Sequence, residues 1–289
     1  MNFGIATYGF RPDHIVPLAR HMEQLGFDGI WLGEHILEPR EFAGVHPFDE
    51  GKKRVPVHTV ARKMYDMMTM VGGILGATSR LQVTTGAYLL ALRHPVVTAR
   101  AAITAQQIGG GRFRLGIGLG WWDEEAASVG TPPKERFKRY AESLRLLPRL
   151  FAGEWVENNG PCFPFSALRV TEEPVEIPMV FGGIAPKALE RAAKLGTGWY
   201  GPMVPPDQAI AYKQQIEAHR AEAGLTGPYS FQARVWGEPS IDEYKPYIDA
   251  GFDTLVVPCE TFQGDLEFDM TLDQKLRRAE QIAKALGVY

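Results

Sequence analysis

The chain has 289 residues, 45% hydrophobic and 22% charged, with a formal net charge of -3. That balance supplies a sizeable core and leaves no basic footprint for nucleic acid. Cys162 and Cys259 make no spaced set for a metal or a disulfide scaffold, and no stretch approaches the roughly 20 consecutive apolar residues that span a bilayer.

A first strand is predicted over residues 3–8, with no positively charged leader before an apolar run, so the chain reads as cytoplasmic. Ile15, Leu18, Ala19, Met22 and Leu25 form one stripe of a first helix, in which Pro17 is tolerable near the first turn. Strand two, residues 29–32, delivers Gly33-Glu34-His35 at its C-terminal end. A long loop over 36–57 carries Lys52, Lys53 and Arg54. The second helix, about 59–77, is dense in methionine (Met64, Met67, Met68, Met70), a stripe that reads as core filler before it reads as a cofactor box.

Strand three (81–85), helix three (96–108) and strand four (113–117) make one parallel βαβ unit. Its strands end in glycine, at Gly86 and at Gly116, Gly118 and Gly120, where backbone can approach a flat ligand closely. Segment 121–133 precedes helix four, about 135–151. The stretch 153–178, with Asn158, Asn159 and Gly160 between strand-like pieces, reads as an insertion with a small hairpin. Strand five (179–181) runs into Gly182-Gly183 and a fifth helix from Pro186. Strand six (198–200), helix six (about 206–223), strand seven (229–235), helix seven (241–249), strand eight (254–257) and helix eight (about 272–286) complete the chain. A glycine follows or closes five of these helices, at Gly26, Gly76, Gly109, Gly196 and Gly251, which predicts a left-handed residue past each. Eight short apolar strands alternating with eight helices predict a single α/β domain over 1–289, a (β/α)8 TIM barrel with an insertion between helix 4 and strand 5. No Gly-x-Gly-x-x-Gly turn follows strand one, which counts against a Rossmann domain.

In such a barrel chemistry sits at the C-terminal ends of the strands, which nominates Tyr8, Glu34, His35, Tyr88, residues 116–122, Gly182, Gly183, Trp199 and Tyr200. The run Gly182-Gly183-Ile184-Ala185-Pro186 ends a strand and starts a helix. Its amides suit an anion such as phosphate, unless the glycines only make a tight turn. His35 suits proton transfer near neutral pH; a structural histidine bonded to Glu34 or to backbone is the competing reading. Glu124 and Glu125 offer a carboxylate pair, although a short helix making salt bridges explains them as well. His94, before Pro95, reads as a helix starter. No glycine-framed serine and no metal-ligand spacing is present. Strand-end glycines and aromatic residues at the mouth suit a planar ligand with an anionic tail, a description that fits a flavin.

At this point the chain resembles the bacterial luciferase-like monooxygenase superfamily, and within it the oxidoreductases that use the deazaflavin coenzyme F420. The residues that carry the resemblance are Gly26-Phe-Asp-Gly-Ile-Trp-Leu-Gly-Glu-His35, Arg93-His-Pro95, and Gly110-Gly-Arg-Phe-Arg-Leu-Gly-Ile-Gly-Leu-Gly-Trp121 with Glu124, Glu125 and Gly130. Phe181-Gly-Gly183 followed by Gly196-Thr-Gly-Trp199 completes the set. The resemblance implies a homodimeric barrel and a non-prolyl cis peptide at Gly86-Ala87 behind the flavin ring. It places His35 at the ring's reactive edge and the phosphate on the amides of Gly182, Gly183 and Ile184; Tyr8, Tyr88 and Trp121 are counted with the cofactor site. Lys52, Lys53 and Arg54 are either an attractor for the cofactor's polyglutamate tail or a solvated charge run.

Bacterial luciferases carry a phosphate-binding arginine inside the strand-four glycine run. Here that run reads Gly116-Ile-Gly-Leu-Gly120, which favours F420 over FMN. Trp121 stands where the F420-dependent sugar-phosphate dehydrogenases have glutamate, so that substrate is not expected. The expected activity is hydride transfer between F420 and a small organic substrate. An FMN-dependent monooxygenase using reduced flavin and O2, and a flavin-binding barrel without turnover, are the alternatives.

Overall fold

The structure is a computed structural model that describes residues 1–7, 11–41, 64–235, 238–259 and 270–288, with the backbone of 262–263 and 265–266. Eight strands form its centre: β1 (Asn2–Thr7), β2 (Gly29–Leu32), β3 (Gln82–Thr85), β4 (Phe113–Gly118), β5 (Met179–Phe181), β6 (Gly198–Gly201), β7 (Ser230–Arg234) and β8 (Thr254–Pro258). Each pairs in parallel with the next, and β8 pairs with β1, Val256 opposite Gly4, so the sheet closes into a barrel. Around it lie α1 (Pro12–Gln24), α2 (Met67–Ala77), α3 (Pro95–Ile108), α4 (Arg136–Phe151), α5 (Pro186–Leu195), α6 (Pro206–Glu222), α7 (Ile241–Asp249) and α8 (Leu272–Leu286). The fold is the expected (β/α)8 barrel. Among the described residues no helix is long and apolar enough to cross a membrane.

Alternation along the strands sorts the side chains onto two faces. Ile5, Ile30, Val83, Leu115 and Phe181 join the main core under the helices, whereas Ala6, Trp31, Val180, Tyr200 and Val256 form a separate cluster inside the barrel. Glycines make room for the largest of these. A Cβ on Gly4 would lie 2.0 Å from the Trp31 ring, so the indole lies across β1 and donates to Gln232 Oε1 at 2.9 Å on the far wall.

Two local devices hold the helices and the insertion. Arg112 donates to the carbonyls of Leu75, Thr78 and Leu81 and to the Thr78 hydroxyl, which satisfies the open end of α2. Between α4 and β5 the insertion is an antiparallel hairpin of Val156–Asn158 and Phe165–Leu168. Glu142 of α4 anchors it by accepting from Asn158 Nδ2 at 2.6 Å and from the amides of Cys162 and Phe163, both at 3.1 Å.

Two expectations are corrected. The second helix starts at Met67, not near 59, because Asp66 caps it by accepting from the Thr69 amide at 2.8 Å; residues 59–63 lie outside the described residues. Three methionines, Met64, Met67 and Met70, line a small cleft with Thr7 and Leu32, so the stripe is part core and part wall. The left-handed glycine past a helix holds at Gly26 and Gly251, with φ of 93° and 76°. Past α3 the left-handed residue is Gly110, with φ of 54°, and not the right-handed Gly109; Gly76 lies within α2, and Gly196 is extended at φ -91°. Space explains Gly196 instead: a Cβ there would meet Ala192 O and Phe181 Cδ2, both at 2.8 Å.

Between β3 and β4 the chain leaves no room for a side chain at 116. Thr85 Oγ1 accepts from the Gly116 amide and donates to the Gly116 carbonyl, both at 2.8 Å, and a Cβ on Gly116 would stand 1.7 Å from Thr85 O. Gly116→Ala is therefore expected to destabilise the protein by at least about 1–3 kcal/mol. Gly72→Ala, in α2 with nothing within 4 Å of the new Cβ, is expected to be neutral or stabilising by up to about 1 kcal/mol. Denaturant midpoints of the two variants check the contrast.

Candidate active site

Past β3 the chain turns inward. The Gly86–Ala87 peptide is cis, and Tyr88 and Leu89 then pair in parallel with Ile117 and Gly118. This bulge fits only because its neighbours lack side chains: a Cβ on Gly118 would lie 2.8 Å from Ala87 Cβ, and one on Gly86 would lie 3.0 Å from the Tyr200 ring. Glu34, two residues past β2, pins the segment from the other side. Its carboxylate accepts from the Leu89 amide at 2.8 Å and takes both Arg93 nitrogens, at 2.9 and 2.7 Å. Burial works against the Arg93 charge, yet Glu34 outweighs it and holds the guanidinium above its usual range. The same guanidinium stacks 4.5 Å over the Tyr88 ring. Tyr88 itself is turned into the core, its hydroxyl 3.2 Å from Thr98 Oγ1 and pushed by burial to a pKa of about 12.

His35, the next residue after Glu34, points the opposite way. Its Nδ1 lies 3.0 Å from Glu125 Oε2, and the Ile36 amide donates to Glu125 Oε1 at 2.5 Å. Both side chains are sequestered, 9% exposed for His35 and 1% for Glu125. Glu125 comes from a short helix, Asp123–Ser128, that starts just after the left-handed Gly120. Its first-turn acids suit the positive end of the helix dipole, and Asp123 is tied to Arg136 at 2.9 Å. Trp122, buried, lies against His35 at 4.3 Å between ring centroids, and the half-buried Trp121 meets it edge-on at 6.1 Å.

On the far side of the same barrel mouth, β5 ends at Gly182-Gly183. Gly183 is left-handed, with φ 94°, and its carbonyl accepts from Trp199 Nε1 at 3.0 Å. Among the described residues the amides of Gly183, Ile184 and Ala185 have no acceptor, and they lead into α5, whose cap has no side-chain hydrogen bond. Three adjacent donors at the positive end of a helix suit an anion. The Gly182 amide is spent on Ile117 O at 3.3 Å.

The family model for luciferase-like monooxygenases matches residues 2–241. The chain belongs to the luciferase-like monooxygenase family. It is 26% identical over 273 residues to an uncharacterized Mycobacterium tuberculosis protein, covering 93% of each chain. It is 29% identical over 194 residues to the F420-dependent hydroxymycolic acid dehydrogenase of the same organism, covering 66% of this chain and 49% of that one. A solved structure of a monooxygenase from Streptomyces bottropensis superposes with a TM-score of 0.76 at 16% identity, covering 99% of this chain and 98% of the other, a likeness of fold.

Within this luciferase-like barrel the structure brings His35, Trp121, the Gly86–Ala87 bulge and Gly183–Ile184 to one mouth. Trp199 points outward against Tyr212, whereas Tyr200 faces the interior. Tyr8, Lys52, Lys53 and Arg54 lie outside the described residues. Two features escaped the sequence reading. Glu34 serves Arg93 and Leu89 rather than His35, and Glu125, not Glu34, is the partner of His35. His94 does start its helix, its Nδ1 accepting from the Val96 amide at 3.2 Å.

Removing the cation from the buried Glu34 pair gives a stability test with a defined pH sign. Arg93→Met leaves the carboxyl uncompensated and is expected to cost about 3 kcal/mol near pH 7. Burial already pushes the Glu34 carboxyl up against the pull of Arg93 and the Leu89 amide. The folded variant then keeps a proton that the unfolded chain releases above about pH 4.3. Its stability relative to wild type falls as the pH rises through that window, and denaturant titrations near pH 4 and pH 7 measure the difference.

Proposed function

We propose that this protein transfers a hydride between the deazaflavin coenzyme F420 and a small organic substrate, with His35 handling the accompanying proton. The observation that carries the reading is the run of three unspent amides at Gly183, Ile184 and Ala185, on the same barrel mouth as His35 and the glycine-walled bulge. A group with a flat ring and a phosphate fits that arrangement: Gly86 and Ala87 would back the ring, and the α5 amides would hold the phosphate. The glycine run at 116–120 holds no arginine, and a relative that aligns with two-thirds of the chain is named as F420-dependent; both support the deazaflavin over FMN.

When bound, F420 supplies two-electron hydride chemistry at C5. The chain's own work is positional and electrostatic. Trp122 and Trp121 shield the His35 ring, and His35 places an ionisable nitrogen beside the mouth, where a general acid contributes roughly 10²–10⁴-fold.

Titration of the cofactor-free protein with F420 and, separately, with FMN, followed by fluorescence quenching at fixed salt, tests the reading. Tighter binding of F420 is expected. Preference for FMN together with oxygen consumption would replace it with the monooxygenase reading, and binding of neither would contradict both. His35→Ala is expected to keep F420 affinity within about 3-fold while turnover on any accepted substrate falls by about 10²-fold or more. Unchanged turnover would remove the proton role.

A further inference from the structure

The carboxylate of Glu125 meets two groups with different demands. The Ile36 amide can only donate, so Oε1 is an acceptor. Oε2 faces His35 Nδ1 at 3.0 Å in a site where Glu125 is 1% exposed. No described residue other than Ile36 and His35 contacts that carboxylate by hydrogen bond. A carboxylate satisfies both contacts only as a double acceptor, which places a hydrogen on Nδ1 and leaves the lone pair of neutral imidazole on Nε2. The buried Trp122 ring at 4.3 Å and the Trp121 edge at 6.1 Å oppose rotation of the imidazole out of this arrangement.

We infer that Glu125 is a positioning residue that fixes His35 as the Nδ1–H tautomer, making Nε2 the nitrogen that takes up and releases the proton of the reaction. This rests on the reading of His35 as the proton-handling group. In the direction of reduction, the bound cofactor would supply the hydride that a polar double bond of the substrate takes up. One proton passes from Nε2 to the substrate heteroatom, leaving neutral imidazole with Nδ1–H retained and Glu125 still ionised. In the reverse direction the neutral Nε2 accepts the proton of the substrate's O–H or N–H. The substrate class that uses this device is one with a carbonyl or imine, or the corresponding alcohol or amine.

The geometry makes a specific prediction for Glu125→Gln. The Ile36 amide still requires an acceptor, so the glutamine oxygen turns to Ile36 and its NH2 group to His35. Nδ1 must then accept, and the proton moves to Nε2. A carboxamide that keeps the packing thereby reverses the tautomer, the effect that replacing the aspartate of a catalytic triad by asparagine has on its histidine. Glu125→Asp keeps two acceptor oxygens and is expected to keep the wild-type tautomer.

The test is nitrogen-15 NMR of the imidazole ring in protein labelled at histidine, at a pH well above the usual imidazole value of about 6.5. The His35 signals among the seven histidines are assigned by their loss in His35→Gln. The expected result is a protonated Nδ1 and a lone-pair Nε2 in wild type and Glu125→Asp, reversed in Glu125→Gln. A wild-type ring protonated on Nε2, as a protonated Glu125 donating to Nδ1 would produce, overturns the inference, and so does an unchanged tautomer in Glu125→Gln. The wild-type spectrum decides even if a variant fails to fold. No cofactor enters the measurement, so its failure is distinguishable from failure of F420 to bind.

Discussion

The Thr85 hydroxyl bridges the amide and carbonyl of Gly116, and the mouth of the barrel is built outward from that contact. It holds β3 and β4 at a separation that leaves no volume for a side chain at 116. One step further, Ala87 occupies the space a Gly118 side chain would need, and Tyr88 and Leu89 continue alongside Ile117 and Gly118. The bulge is thus a packing consequence of glycines on one strand and a hydroxyl on the other. Where side chains are absent in this way, backbone can approach a flat ring closely.

Two buried carboxylates then fix what surrounds the bulge. Glu34 and Glu125 each accept one backbone amide, from Leu89 and Ile36, and each faces one basic side chain, Arg93 and His35. A buried carboxylate without such partners would be costly, so both arrangements are held tightly. Glu34 and His35 are sequence neighbours at the end of β2. The same short segment is therefore tied to the β3–α3 connection in one direction and to the Asp123–Ser128 helix in the other. Rigid support of this kind is what the proposed proton role of His35 would need.

Much of the fold was legible because its signals are local. The helices expected over 241–249 and about 272–286 are Ile241–Asp249 and Leu272–Leu286, and the structure shows Ser240 and a Thr271–Gln274 capping box starting them. The alternation of short apolar runs and helical stripes gave the barrel. Helix two begins at Met67 because the Asp66 side chain caps it, and Met64, which shares its composition, lies before that cap. Glycine serves different needs along the chain: Gly26 needs a left-handed φ, Gly116 needs room against Thr85, and Gly196 needs room against Ala192 and Phe181. Sequence does not distinguish these uses. The His35–Glu125 pair spans 90 positions, and nothing within either segment reports the other; the resemblance placed both in the family pattern without pairing them.

The proposed deazaflavin site lies in one mouth, between the Gly86–Ala87 bulge, the α5 amides and His35. A crystal structure of the protein with F420 tests it most directly. The account predicts the ring against Gly86 and Ala87, the phosphate on the amides of Gly183, Ile184 and Ala185, and His35 Nε2 facing the C5 edge. A phosphate bound away from α5, or a ring that leaves His35 out of reach of C5, would contradict it.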